Sequence, residues 1–171
     1  VNIKNPNYCI NTDGIDIDAC RFVTVSDCII DTGDDAMTFR CSALNRLKGK
    51  HDVCEYVTVT NCILSSASSC FRVGVGTGTI QHIKVSNIII KCSGIGINFN
   101  CEWATSSTPI HDVTFDTVSA TDTGCFLSLS STRTPVSNIS VKNIYAECES
   151  VVAIQSESEE LVHGVALRDF L

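Results

Sequence analysis

Apolar and polar residues alternate along short stretches of this chain, and one such stretch recurs many times. The stretch 23–28 reads VTVSDC, and the stretch 57–62 repeats it almost unchanged as VTVTNC. Alternation with a period of two, in residues rich in Val, Ile and Thr, is typical of half-buried strands. Copies begin at Val1, Val23, Val57, Ile83, Val113, Ile139 and Val165. The pattern therefore predicts a repeat protein built from strands.

The spacing of these copies restricts the architecture. They start 22, 34, 26, 30, 26 and 26 residues apart, without helical periodicity between them. A second strand is expected about 14 residues into each repeat, at Met37–Phe39, Phe71–Val73, Ile97–Phe99 and Leu127–Leu129. Leucine-rich repeats and Rossmann units need helices, and a propeller blade needs about 40 residues. We therefore expect an all-β fold, a right-handed parallel β-helix with about six to seven coils stacked about 4.8 Å apart.

Stacked coils place equivalent residues in rows. The expected inward rows are Cys28, Cys62, Ile88, Val118, Ile144 and Phe170, and Met37, Phe71, Ile97 and Leu127. A polar ladder is expected at a bend, because such side chains tolerate turn conformations and bond the neighbouring backbone: Asp27, Asn61, Asn87, Asn143 and Asp169. Two outward rows follow from the same alignment: Asp16, Thr38, Arg72, Asn98 and Ser128, and Asp18, Arg40, Gly74, Asn100 and Ser130.

At 171 residues the chain is expected to form a single domain, residues 1–171, with a continuous core. Strand patterns reach both ends, which favours an excerpt of a longer chain. Two insertions are expected to leave the same strand, near 42–55 and 102–109, and to wall a cleft. The first contains Arg46, Lys48, Lys50 and His51, and the second contains Trp103, the one tryptophan.

The composition limits the partners and cofactors. A net charge of −7 argues against nucleic acid, and the sequence has no apolar run long enough to predict a membrane span. The 11 cysteines are odd in number, form no CxxC pair and fall partly on inward rows, including Cys41 and Cys101. We expect mostly free, buried thiols; one or two disulfides remain an alternative. No metal or other cofactor is expected.

Two acidic motifs occupy equivalent points of adjacent repeats. Asn11–Gly14 reads NTDG, Gly33–Asp35 reads GDD, and Asp13 and Asp35 are 22 residues apart, like the first two repeats. If a bend breaks strand alternation, Asp13, Asp34 and Asp35 converge, and repulsion should raise at least one pKa. A protonated acid beside ionised carboxylates suits glycosidic cleavage. The alternative interpretation is that both motifs are ordinary turns.

Candidate substrate-binding residues lie beside these motifs in the expected outward rows. Arg72 and Arg40 could hold a carboxylate or hydroxyl of the substrate. Asn98 and Asn100 lie in the same rows on later coils, and Trp103 could offer a platform for a sugar ring.

At these motifs the chain resembles the polygalacturonase-like family of glycoside hydrolases, the pectin-degrading β-helices. The resemblance covers the NTDG segment, the pair Asp34 and Asp35, their spacing and the repeat through most of the chain. It implies Asp34 as the general acid, and Asp13 and Asp35 as the carboxylates that activate water, with inversion at the anomeric carbon. It also implies a polysaccharide or oligosaccharide substrate and an extracellular or periplasmic location.

Two family segments differ here. A Gly-His-Gly segment is replaced by Ser68–Cys70, with Ser69 at the histidine position. An Arg-Ile-Lys segment that grips a galacturonate carboxylate is replaced by Asn98–Asn100. These differences favour a divergent member acting on a pectin-like or related glycoside. Two alternatives remain open: a non-catalytic carbohydrate-binding β-helix, and a uronide lyase or epimerase with the aspartates bound to a hard cation.

Overall fold

The protein is an all-β, right-handed parallel β-solenoid of about six turns, as the repeat predicted. The computed structural model describes residues 1–42, 52–102 and 107–171. The strands are β1 (Asn2–Lys4), β2 (Ile15–Asp18), β3 (Arg21–Ser26), β4 (Ile29–Thr32), β5 (Met37–Cys41), β6 (Val53–Gly76), β7 (Thr79–Asn100), β8 (Ile110–Ser131), β9 (Val136–Ser156) and β10 (Val162–Phe170). These described residues contain no helix with the length and apolar character needed to cross a membrane.

Every strand pair is parallel, and the repeats are stacked in register. The strands β6 to β9 each follow one whole coil, whereas earlier coils are divided into shorter strands. Residues at equivalent points of the repeat are therefore direct neighbours, as in the row Val23, Val57, Ile83, Val113, Ile139 and Val165. The sequence spacing thus translates directly into vertical position on the solenoid.

The core consists of the predicted inward rows. Their members are at most 5% exposed from Cys28 to Ile144 and fully buried from Met37 to Leu127, while Phe170 is partly buried. The Phe39 and Phe71 rings stack in this core with centroids 6.2 Å apart. Burial of such side chains contributes about 1.5–3 kcal/mol each, so the rows hold the coils together.

Two corners that recur from the second coil onward are formed by residues with left-handed backbone. The predicted polar ladder is one of them, with φ of 57° at Asp27 and Asn61 and 54° at Asn87. Asn61 Nδ2 donates to Asp27 Oδ1 at 3.2 Å, and Asn87 Nδ2 donates to Asn61 Oδ1 at 2.7 Å. The other corner is a second ladder that was not predicted. Its residues have φ values between 53° and 59°, and they are Phe22, Tyr56, His82, Asp112 and Asn138.

The first predicted insertion is shorter than 42–55. Strand β6 begins at Val53, and buried Glu55 bonds with Arg21 and Gln81 on the neighbouring coils. The sequence interpretation missed this strand start because its apolar repeat was recognised only from Val57. The predicted candidates Arg46, Lys48, Lys50 and His51 lie outside the described residues, as does Trp103 of the second insertion.

All eleven cysteines are free thiols, in agreement with the prediction of mostly free thiols. Six of them are buried: Cys28, Cys41, Cys54, Cys62, Cys70 and Cys101. Burial raises the pKa of Cys41 to about 11, and those of Cys54 and Cys70 to about 12. Such thiols are unreactive and pack as small apolar side chains.

Replacement of Asn61 in the polar ladder tests the corner. Asn61→Ala should cost about 1–2 kcal/mol of unfolding free energy, because alanine in the left-handed region is strained. Asn61→Gly removes the same side-chain bonds without that strain, so it should cost less. Urea unfolding of both variants measures the difference; an equal or larger loss for Asn61→Gly would contradict the role given to backbone conformation.

Candidate active site

Two glycines allow the acidic turns to touch. A Cβ on Gly33 would lie 2.4 Å from the carbonyl oxygens of Pro6 and Cys9, and a Cβ on Gly14 would lie 2.4 Å from that of Ala36. Such contacts are far too short, so no larger residue fits at either position without backbone movement. The glycines therefore serve close packing between the two turns, which the sequence motifs alone did not reveal.

Side-chain hydrogen bonds hold the backbone of both turns. Asn5 Nδ2 donates to the carbonyl oxygens of Thr12 and Asp13 at 3.1 and 3.0 Å. Thr32 Oγ1 and Ser66 Oγ donate to the Asp34 carbonyl oxygen at 2.6 and 2.7 Å. The turn at Asp13 is thus fixed from within its own coil, and the turn at Asp34 from its own coil and from the next one.

The three predicted aspartates line one cavity of about 290 Å³. Its wall includes Asp13, Asp34, Asp35, Arg40, Ser68 and Arg72. The strands β4 and β5 end and begin at Thr32 and Met37, so residues 33–36 form the expected bend that breaks strand alternation. The structure therefore brings Asp13, Asp34 and Asp35 together at the point where adjacent repeats stack.

Asp34 is held in place through both carboxylate oxygens. Its Oδ2 accepts the backbone N–H of Asn11 at 2.9 Å, and its Oδ1 accepts that of Asp35 at 3.0 Å. These two contacts fix the orientation of the Asp34 side chain.

Asp13 has a carboxyl group that is difficult to ionise. Burial raises its pKa to about 6, and repulsion from Asp16, Asp34 and Asp35 adds to the effect. The sequence analysis predicted a raised pKa in this cluster, but attributed it to repulsion alone. Burial is the larger cause, and Asp16 is a fourth acidic neighbour that was not included.

Asp35 and Arg72 form the buried floor of the cavity, and each is 8% exposed. Burial raises the pKa of Asp35, opposed first by the charge of Arg72 and then by the Ser69 hydroxyl. Ser68 Oγ also donates to Asp35 Oδ1 at 3.2 Å. Burial lowers the pKa of Arg72, whereas the charges of the three aspartates oppose that effect. Arg72 thus interacts electrostatically with the whole acidic cluster.

Arg40 contributes a second cation at the side of the cavity. Its Nη1 donates to Asp16 Oδ2 at 2.7 Å, and its Nε lies 3.6 Å from Asp18 Oδ2. The predicted row is confirmed for Asp18 with Arg40 and for Gly74 with Asn100 and Ser130, but it is irregular between Arg40 and Gly74, where the register shifts between Phe39 and Cys41. Cys41 pairs with Gly76, and the extra residue forms a β-bulge in β6.

The bulge places Val75 on the cavity wall, with a φ of 71° that is strained for a valine. The Gly-Val-Gly sequence at 74–76 was the available signal for this irregularity. Sequence reasoning also missed Ser68 and Asn11 as cavity residues. Asn11 belongs to the NTDG motif, and Ser68 was considered only as part of a replaced family segment.

The other predicted substrate-binding residues are placed away from the cavity wall. Asn98 is 7% exposed and donates from Nδ2 to Ser69 Oγ at 3.2 Å. Since Ser69 in turn bonds Asp35, Asn98 supports the cluster from behind. Asn100 Oδ1 accepts the backbone N–H of Glu102 at 3.3 Å. The expected outward row that contains Thr38, Arg72 and Asn98 is therefore largely buried at these three residues, since Thr38 is also only 1% exposed.

Within the described ranges, no group of three or more His, Cys, Asp and Glu residues is arranged to hold a metal ion.

No protein-family model matches this chain, and a comparison with curated proteins gave no match. The chemistry of the cavity therefore carries the functional argument.

The raised pKa of Asp13 predicts a pH-dependent effect of Asp13→Asn. Because the folded state binds this proton more tightly, its stabilisation is complete below pH 3.8 and is lost as the pH rises through about 6. The free energy of unfolding of Asp13→Asn, measured relative to wild type, should therefore be higher at about pH 7 than at about pH 4. Urea unfolding at both pH values measures this gain, with the exposed Asp122→Asn as a control. A difference that is the same at both pH values would contradict the prediction.

Proposed function

We propose that this protein is a glycoside hydrolase that cleaves a pectin-like or related polysaccharide by inverting acid/base hydrolysis. One observation carries the proposal: three carboxyl groups from two stacked turns line one solvent-facing cavity together with Arg72. Crowding like charges costs folding free energy, and glycosidic cleavage is a reaction that uses such a group of carboxyls. A polymer of this kind implies an extracellular or periplasmic location.

The reaction needs one proton donor and one base. The donor protonates the leaving glycosidic oxygen, while a base takes a proton from the water that attacks the anomeric carbon from the opposite face. The base then carries the proton, which returns to the donor through solvent before the next turnover. Asp13, Asp34 and Asp35 supply the three carboxyl groups among which these roles are divided.

The proton donor is either Asp34 or Asp13. The resemblance to polygalacturonase-like enzymes assigns it to Asp34, with Asp13 and Asp35 activating water. The structure instead favours Asp13, because burial and neighbouring carboxyl groups raise its pKa to about 6, whereas both oxygens of Asp34 already accept backbone N–H bonds. The mechanism needs one protonated carboxyl group beside a carboxylate, and Asp13 with its pKa of about 6 is a group that holds a proton in mildly acidic solution.

Arg72 is the residue proposed to hold the substrate. It lies in the cavity beside all three aspartates. The Arg-Ile-Lys segment of polygalacturonase-like enzymes is replaced here by Asn98–Asn100, and Asn98 and Asn100 lie outside the cavity wall. A guanidinium can bind a sugar carboxylate or hydroxyl through paired N–H donors. With its own charge partly balanced by the aspartates, Arg72 suits a uronic acid next to a neutral sugar better than a fully acidic polymer.

A non-catalytic carbohydrate-binding β-helix is the second candidate. The observation in its favour is that Ser69 stands where the related enzymes have histidine, and it is only 1% exposed. Its hydroxyl supports Asp35 and does not reach into a substrate site as an imidazole would. In this case the aspartates would orient hydroxyl groups of a glycan without cleaving it.

Activity on a panel of pectic and related glycans tests the proposal. The wild type should release reducing ends without new ultraviolet absorbance, and Asp34→Asn should lose at least ~100-fold in turnover. Asp122→Asn, an exposed corner residue, should leave turnover unchanged. Products that absorb in the ultraviolet would instead indicate a lyase, and binding without product release would indicate a binding module.

The identity of the donor is resolved in the same assay with aryl glycosides that carry an activated leaving group. These substrates do not need a proton donor, so the variant of the true donor retains much of its activity on them. The variant of the base loses activity on both substrate types. Comparison of Asp13→Asn with Asp34→Asn therefore assigns the two roles.

Replacement of Arg72 tests substrate binding. Arg72→Ala should raise KM by about tenfold or more on the true substrate, since a charge-assisted bond contributes roughly 1.5–3 kcal/mol. Arg72→Lys keeps the charge and should recover part of the loss, while the exposed Arg168→Ala serves as a surface control. Unchanged KM and turnover in Arg72→Ala would remove Arg72 from the site.

A further inference from the structure

A second, larger concavity of about 530 Å³ lies elsewhere on the coil, along the corner that precedes the first strand of each repeat. The part of its wall that matters here is Tyr56, Thr58, His82, Lys84, Thr114 and Asn138. None of these residues lines the aspartate cavity. A ligand can therefore occupy this concavity without filling the aspartate cavity.

One wall of the concavity is aromatic. The left-handed corner stacks Phe22 on Tyr56 with centroids 5.2 Å apart, and Tyr56 on His82 with centroids 5.1 Å apart. Tyr56 is nevertheless 48% exposed and Phe22 79% exposed. Because the ring faces meet one another, a ligand in the concavity meets ring edges and the Tyr56 phenol. Exposed aromatic groups with a polar tip are a common feature of binding surfaces.

The charges on the wall are unequally matched. Asp112 accepts hydrogen bonds from His111 at 2.9 Å and Asn138 at 3.2 Å, and His82 lies 3.6 Å away. Lys84 is exposed, and no ion pair or side-chain hydrogen bond links it to another described residue. Its neighbours in register are Thr58 on one coil and Thr114 on the next. The concavity thus presents Lys84 beside Thr58 and Thr114, in a wall that also contains Asp112.

We propose that this concavity binds a carboxylate-bearing sugar residue, such as a uronic acid. The Lys84 ammonium pairs with the carboxylate, and Thr58 and Thr114 bond sugar hydroxyls. The ring edges of Tyr56 and His82 pack against the sugar C–H groups. The acidic character of the ligand follows from the exposed Lys84 ammonium in this wall. We take this sugar to be part of a polymer that occupies the aspartate cavity at another point along its length. This step rests on the proposed function.

NMR titration of the protein in the Asp34→Asn background tests the site without turnover. The probes are an oligogalacturonate and a neutral oligosaccharide of equal length, and the readouts are the Thr58 and Thr114 methyl signals and the His82 ring signals. The oligogalacturonate should shift these signals, and added Lys84→Gln should weaken that local binding about five- to tenfold. Lys91→Gln makes the same charge change on an exposed strand outside the concavity and should have no effect.

The local signals separate this site from the aspartate cavity. Shifts that depend on Lys84 support the site even if no glycan is hydrolysed, in which case the hydrolase proposal alone fails. Absence of shifts, equal shifts with the neutral oligosaccharide, or an unchanged local affinity in Lys84→Gln would each overturn the second site. A Tyr56→Ala variant supports the packing role if it weakens both local binding and the His82 shift.

Discussion

In-register hydrogen bonding between parallel coils is the constraint on which the rest of this structure depends. Once the apolar rows are buried, the coil to which a residue belongs sets its position along the solenoid axis. Its position in the repeat sets the face of the solenoid on which it lies. The same registry that stacks Met37 on Phe71 also brings the turn at Asp13 beneath the turn at Asp35. The position of the acidic cavity is therefore a consequence of the spacing between equivalent turns.

The acidic cavity works against folding. Carboxyl groups of Asp13, Asp16, Asp34 and Asp35 interact unfavourably, and burial of Asp13 and Asp35 adds a desolvation cost. The scaffold offsets this cost with Arg72, with backbone N–H donors to Asp34 and with the continuous core. A cluster that is costly for folding and supported from several sides is the kind of arrangement found at catalytic sites.

The sequence predicted those features that depend on periodicity. The spacing of Val23, Val57 and Ile83 was sufficient to predict the parallel β-helix. The 22-residue interval between Asp13 and Asp35 was sufficient to predict that the acidic side chains converge. Local irregularities were not predictable in this way. The bulge at Val75 depends on a register shift, and the inward support role of Asn98 depends on how deeply Ser69 is buried.

Stacked turns place the Asp13 carboxyl group, with its raised pKa, beside the carboxyl groups of Asp16, Asp34 and Asp35. Carboxyl ¹³C NMR titration of Asp13 in the wild-type protein measures this most directly. The account predicts a midpoint near 6 for Asp13 and a lower midpoint when Asp16, Asp34 or Asp35 is replaced by Asn. A midpoint near the ordinary value of 3.8, unchanged by those replacements, would contradict it.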